Sequence, residues 1–132
     1  MSYLLDTNII SDLVDHPGGR IAQRLREVGE REVSTSIIVA AELRFGAAKR
    51  QAKRLTARIE AVLTTLEVLP FDTPADAVYA RLRADLERRG RTIGGNDLLI
   101  AAHALALGHI LVTANEREFA RIDTLKRENW LS

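Results

Sequence analysis

Tyr3-Leu4-Leu5-Asp6-Thr7-Asn8-Ile9-Ile10-Ser11-Asp12-Leu13-Val14 changes hydrophobic period halfway along. Tyr3, Leu4 and Leu5 form an unbroken apolar run, as in a strand covered on both faces. After the polar triplet Asp6-Thr7-Asn8, residues Ile9, Ile10, Leu13 and Val14 recur at helical spacing. The segment predicts a strand, a tight turn and a helix, with an acid at the junction.

Working outward, the same unit recurs. His16-Pro17-Gly18-Gly19 is a break, and Ile21, Leu25 and Val28 mark a second helix ending near Gly29. Glu32-Val33-Ser34-Thr35 predicts a strand. A helix follows from Ile37, with Ile37, Ile38, Ala41, Phe45 and Ala48 on its apolar side. Arg50 to Leu66 continues helically through Leu55, Ile59 and Val62, before a strand at Val68-Leu69-Pro70-Phe71. Thr73-Pro74-Ala75-Asp76 predicts a helix start, with Thr as cap and Pro in the first turn, and the helix runs to Arg89. After a loop from Gly90 to Gly95, Asp97 to Leu107 is apolar nearly all round, so that helix is expected at the centre. Gly108 stops it; Ile110-Leu111-Val112 predicts a strand, Asn115 to Ala120 a short helix and Thr124-Leu125 an edge strand. Strands alternating with helices imply α/β architecture, a mainly parallel sheet of four or five short strands with helices on both faces.

A chain of 132 residues fits a single domain, 1–132, with a core of its own. Lys and Arg number 19 against 18 Asp and Glu, a net charge of +1 that excludes a uniformly basic nucleic-acid coating protein but leaves room for a local basic patch. The absence of cysteine rules out disulfides, zinc–thiolate sites and cysteine nucleophiles, and a reducing cytoplasm is the expected compartment. Asp6 interrupts the apolar stretch a signal peptide would need, and no apolar run approaches the roughly 20 residues of a membrane span.

The polar residues at the strand-to-helix junctions are mostly acids. Asp6 follows the first strand, Glu42 lies a turn into the helix after the second, Asp97 opens the apolar helix, and Asn115 and Glu118 follow the fourth strand. In parallel sheets such positions gather at one edge. Carboxylates brought together raise one another's pKa, and a hard divalent cation resolves the conflict. Each acid also has a plainer reading. Asp6 is a good helix cap, Asp97 suits a helix N-terminus, and Asn115-x-x-Glu118 has the spacing of a capping box. Glu42 has Phe45 and Gly46 at i+3 and i+4, so no cation pairs with it along the helix.

Several stretches carry a family resemblance: Tyr3-Leu4-Leu5-Asp6-Thr7-Asn8, Ser36 to Ala47 (SIIVAAELRFGA), Ile93 to Ala104 (IGGNDLLIAAHA), Leu111 to Phe119 (LVTANEREF) and Leu125 to Trp130 (LKRENW). In this order, over nearly the whole chain, they resemble the PIN-domain ribonucleases, and among them the VapC toxins of bacterial toxin–antitoxin pairs. The resemblance implies a PIN-like three-layer α/β/α sandwich and a Mg²⁺- or Mn²⁺-dependent endoribonuclease. Asp6 and Asp97 would be the principal metal ligands, Glu42 would complete the acidic pocket, and Thr7 and Thr113 would orient ligands or water. Asn115 stands where many relatives have Asp, and Glu118 is the nearest acid that could serve instead. It further implies a VapB-like antitoxin, a homodimer, and RNA as substrate, with transfer RNA, and possible cleavage of the initiator tRNA anticodon loop, as the expected targets.

Phosphate contacts would need cations. Arg44, Arg88, Arg89 and Arg91 are the candidates for RNA binding, while aromatic residues at 5% are too few for a broad stacking platform. His103 is expected to be a hydrogen-bonded core histidine and Trp130 a packing anchor. Gly94-Gly95 is expected to let the backbone approach the site. Two other readings compete: a non-catalytic PIN-like binding module, in which Asn115 marks lost activity, and an aspartyl-phosphate hydrolase with Asp6 as nucleophile.

Overall fold

The computed structural model describes residues 1–132. Five strands, β1 (Tyr3–Leu5), β2 (Val33–Ser36), β3 (Glu67–Leu69), β4 (Ile110–Val112) and β5 (Arg127–Glu128), form one sheet in the order β3-β2-β1-β4-β5. Every pairing is parallel. Seven helices complete a three-layer α/β/α fold: α1 (Thr7–Asp15), α2 (Arg20–Val28), α3 (Ile37–Arg50), α4 (Lys53–Thr65), α5 (Ala75–Arg88), α6 (Gly95–Leu107) and α7 (Glu116–Phe119). No helix is long and apolar enough to cross a membrane.

The central strand β1 lies between β2 and β4, with Leu5 opposite both Thr35 and Val112. Leu4, Leu5, Leu111 and Val112 have no exposed surface, which explains why these strands read as apolar runs rather than alternating ones. Ile9 and Ile10 of α1, Val39 and Ala40 of α3, and Ile100, Ala101 and Ala104 of α6 close over the sheet, also with no exposed surface. At the far end Trp130 packs on Tyr3, ring centroids 5.3 Å apart, and Arg24 lies 5.2 Å over the indole. His103 is buried, its Nδ1 2.8 Å from the Ser36 hydroxyl, as expected of a core histidine.

Four local expectations are corrected. The buried stripe of α3 is Val39, Ala40, Leu43 and Ala47, whereas Phe45 is 67% exposed. Five consecutive apolar residues from Ile37 to Ala41 leave the spacing unable to choose a face. The helical pattern from Arg50 is broken by Gln51, which takes a left-handed conformation (φ 53°) without the glycine or proline that usually announces such a stop. Helix α5 starts at Ala75, one residue later than a Thr73 cap requires; the Ala75 N–H donates to the Asp72 carbonyl at 2.7 Å. The last strand is Arg127–Glu128, because Leu125 is needed in the core.

Candidate functional site

The parallel register brings the ends of β1, β2 and β4 level, so the residues that follow them share one edge. Asp6 serves two local structures at once. Its N–H donates to the Val112 carbonyl at 2.9 Å, extending the ladder by one residue, and its Oδ1 accepts the Thr7 N–H at 2.8 Å, capping α1. Its Oδ2 accepts the Thr113 hydroxyl at 2.7 Å. The capping reading of Asp6 is therefore correct, and it leaves the carboxylate fixed at the sheet edge beside the other acids. Only 2% of Asp6 is exposed. Burial pushes its pKa up, partly offset by the Thr113 and Thr7 hydrogen bonds, and the nearby charges of Glu42 and Glu118 raise it further.

Glu42 reaches the same edge from the second turn of α3. Its Oε1 accepts the Thr7 hydroxyl at 2.6 Å and its Oε2 accepts the Asn96 amide at 3.1 Å. Asp97 projects from the first turn of α6. Its carboxyl is pushed up to about 7, first by burial, then by a hydrogen bond with Glu118 and by repulsion from Asp6, Glu118 and Glu42.

The capping-box reading of Glu118 fails. In a capping box the glutamate accepts the cap residue's own N–H. Here the Asn115 N–H donates to the Thr113 hydroxyl at 3.0 Å instead, and the Asn115 side chain makes no cap. The Glu118 Oε1 accepts the Gly94 N–H at 2.6 Å, which lowers its pKa and turns it toward Asp97. The Asn115 amide donates to both acids, to Asp97 Oδ2 at 3.3 Å and Glu118 Oε2 at 3.0 Å. Gly94 does bring the backbone to the site as expected, through its N–H. A Cβ there would meet Glu118 at 3.6 Å, an ordinary contact, so small size is not what the position requires.

Asp6, Thr7, Asn8, Glu42 and Asp97 line an open cleft of about 500 Å³, with Ser11 and Asp15 of α1 continuing its wall. None of the four acids, Asp6, Glu42, Asp97 or Glu118, makes an ion pair within the chain. The donor set is carboxylate, hydroxyl and amide oxygen, with no sulfur and no imidazole, which suits a hard divalent cation. No three acids converge tightly enough to hold an ion by themselves. The fit is thus to an ion that takes one or two carboxylates and keeps its waters, as Mg²⁺ does.

The basic candidates lie elsewhere. Arg44 forms a two-pronged pair with Glu60, at 2.9 Å on each prong. Arg89 is held by Asp85 at 2.8 Å, and Arg88 lies 3.9 Å from the same carboxylate. Arg91 makes no ion pair or side-chain hydrogen bond. Asn8 and Asn96 were missed by reading the sequence. Asn8 Oδ1 accepts the Ala114 N–H at 3.1 Å and ties the start of α1 to the segment after β4. Their signal in sequence was a place beside Asp6 and Asp97 in the stretches Asp6-Thr7-Asn8 and Asn96-Asp97.

Comparison with known proteins places this geometry in a family. Residues 3–125 match the model of the PIN domain. The chain is similar to the ribonuclease VapC2 of Rickettsia felis, 39% identical over 132 residues and 98% of each chain. It is also similar to the tRNA(fMet)-specific endonuclease VapC of Shigella flexneri, 34% identical over 98% of each chain. Among solved structures it superposes on a chain of VapBC2 from Rickettsia felis bound to a promoter DNA fragment, with TM-score 0.91, 37% identity and coverage of 98% and 99%. A DNA-bound VapBC from Salmonella typhimurium gives TM-score 0.92 and 35% identity over 98% of each chain.

Proposed function

The chain belongs to the PIN-domain family and, within it, to the VapC ribonucleases, and from that membership we propose that it is a divalent-metal-dependent endoribonuclease toxin acting on transfer RNA in the cytoplasm. The observation that carries the reading is the set of carboxylates at one sheet edge: Asp6, Glu42 and Asp97 line an open cleft, Glu118 is joined to Asp97 through the Asn115 amide, and none of the four makes an ion pair. The chain acts as one domain, 1–132. Its partner is a VapB-like antitoxin, as in the VapBC complexes it resembles, and it works as a homodimer. Its substrate class follows the Shigella flexneri relative, whose name specifies tRNA(fMet).

Asp6 and Asp97 are the residues that would hold Mg²⁺ or Mn²⁺. When bound, the ion polarises a phosphoryl oxygen and lowers the pKa of its water. Thr113 keeps Asp6 oriented and offsets part of the cost of burying its charge, since a hydroxyl donating to a carboxylate favours the charged form. Thr7 and Asn96 hold the two oxygens of Glu42, leaving their remaining lone pairs to accept a proton from water. Water oxygen then bonds to phosphorus as the bond to the ribose 3′ oxygen breaks, and that oxygen takes a proton from solvent while Glu42 returns its own, giving a 5′-phosphate and a 3′-hydroxyl. Glu118 fills the place that Asn115 leaves without an acid, and Asn115 orients it.

Mapping RNA 5′ ends after brief induction tests the reading. The expected result is new 5′-phosphate ends at discrete transfer RNA positions, lost with Asp6→Asn. An RNA population with no new ends during growth arrest would overturn it, and would favour a non-catalytic module.

A further inference from the structure

Arginines in this chain divide into those spent on its own carboxylates and those left free. Arg44, Arg83, Arg88 and Arg89 belong to the first group, each facing Glu60, Glu87 or Asp85. Arg91 and Arg117 belong to the second, with no ion pair and no side-chain hydrogen bond, and both are exposed. These two, far apart in sequence, line the same cleft of about 480 Å³ with Gly90, Thr92, Ala120 and Arg121. No carboxylate lines it. Arg121 is held in place by donating to the Thr92 carbonyl at 2.6 Å, which ties the segment after α5 to the end of α7 and keeps the walls together.

The cleft lies beside Glu118, reached from both of its walls. Arg117 is the chain neighbour of Glu118. Thr92 lies two residues before Gly94, whose N–H holds Glu118 at 2.6 Å. The charge of Arg121 reaches the Glu118 carboxylate and helps lower its pKa. Glu118 thus stands between the acidic cleft and a cationic one.

We propose that this cleft is a phosphate subsite, in which Arg91 and Arg117 bind backbone phosphates of the RNA next to the one being cut. Resting on the ribonuclease reading, it assigns the polarity of the groove: acids at the scissile phosphate, arginines at its neighbours. A polyanion crossing the site needs such an arrangement, because the acids repel every phosphate that is not metal-bound. Guanidinium groups suit the task, since their forked donors match phosphate oxygens. Arg117 is the residue this adds to the candidates, and Arg91 is the one of the four sequence candidates that makes no ion pair within the chain.

The test is binding of end-labelled bulk transfer RNA in EDTA, followed by anisotropy across a salt series, so that no cleavage intervenes. The double variant Arg91→Gln/Arg117→Gln is compared with wild type and with Arg26→Gln/Arg58→Gln, a charge-matched pair of exposed arginines remote in sequence from the cleft. Losing two phosphate contacts lowers the slope of log K against log salt by about 1.5 and weakens binding about tenfold at moderate salt. With Mg²⁺ present, KM rises while kcat holds. Wild-type affinity in the cleft variant, or an equal loss in the control pair, overturns the subsite while leaving the ribonuclease reading intact. A wild-type chain that binds no transfer RNA overturns both.

Discussion

The Thr113 hydroxyl donates to Asp6 Oδ2 at 2.7 Å, joining two residues 107 positions apart. Both follow adjacent parallel strands, and both are buried. The bond aims a carboxylate that also caps α1, and it offsets part of the cost of burying that charge. Thr113→Val preserves shape and removes the donor. Metal affinity and cleavage should both fall about 10- to 100-fold, the usual consequence of deleting a partner of a metal ligand. Thr113→Ser should restore most of each. Calorimetric titration with Mn²⁺ alongside a cleavage assay checks this.

Thr7→Val should release Glu42 Oε1 from its 2.6 Å hydrogen bond, leaving Asn96 as its remaining partner. The effect should fall on kcat, about tenfold or more, with metal affinity little changed, since the loss is of proton acceptance and not of a principal ligand. Thr7→Ser separates the hydroxyl from the methyl group.

The Asp97 carboxyl, at about 7 in the folded chain against an ordinary 3.8, gives a stability prediction with a definite sign. The folded state binds this proton more tightly than the unfolded one. Metal-free stability should therefore be highest below pH 3.8 as far as this group is concerned, and should decline as pH rises through the interval up to about 7. Asp97→Asn removes the penalty. Asp97 is half-buried, so above pH 7 the gain is reduced by solvent screening to about 1 kcal/mol, or about 4 °C in Tm for a chain of this size. Mg²⁺ should raise the wild-type Tm and leave that of Asp97→Asn nearly unmoved. Thermal melts across pH, with and without Mg²⁺, give both signs.

Phe119 has no exposed surface and seats α7 on the core next to Glu118. Phe119→Ala should cost about 3–5 kcal/mol, read by urea denaturation. It should also reduce activity at temperatures where the variant is still folded, because Glu118 loses the helix that aims it.

The layered fold was legible because it rests on period. Leu4-Leu5 and Leu111-Val112 are short apolar runs bounded by polar turn residues, as doubly covered strands are, and Gly108 marks its helix end in the expected left-handed conformation. Ile37 to Ala41 was not legible, since an apolar run on a helix does not say which side faces the core. Asp6, Glu42 and Asp97 stood out as acids at strand-to-helix junctions. Glu118 was ambiguous at that level. A capping box and a site acid have the same spacing, and only the direction of the Asn115 and Gly94 N–H groups separates them. Arg44 looked available in sequence because its partner, Glu60, follows only from the packing of α3 on α4, whereas Asp85 stands four residues before Arg89 and that pair was readable from spacing.

The most direct measurement is cleavage of transfer RNA by the purified chain, free of any partner, over a Mg²⁺ titration with an EDTA control and with Asp97→Asn in parallel. The expected result is 5′-phosphate products that rise with Mg²⁺ and fall at least about 1,000-fold in EDTA or in Asp97→Asn, a loss of about 4 kcal/mol of transition-state stabilisation. Undiminished cleavage by Asp97→Asn in EDTA would contradict it.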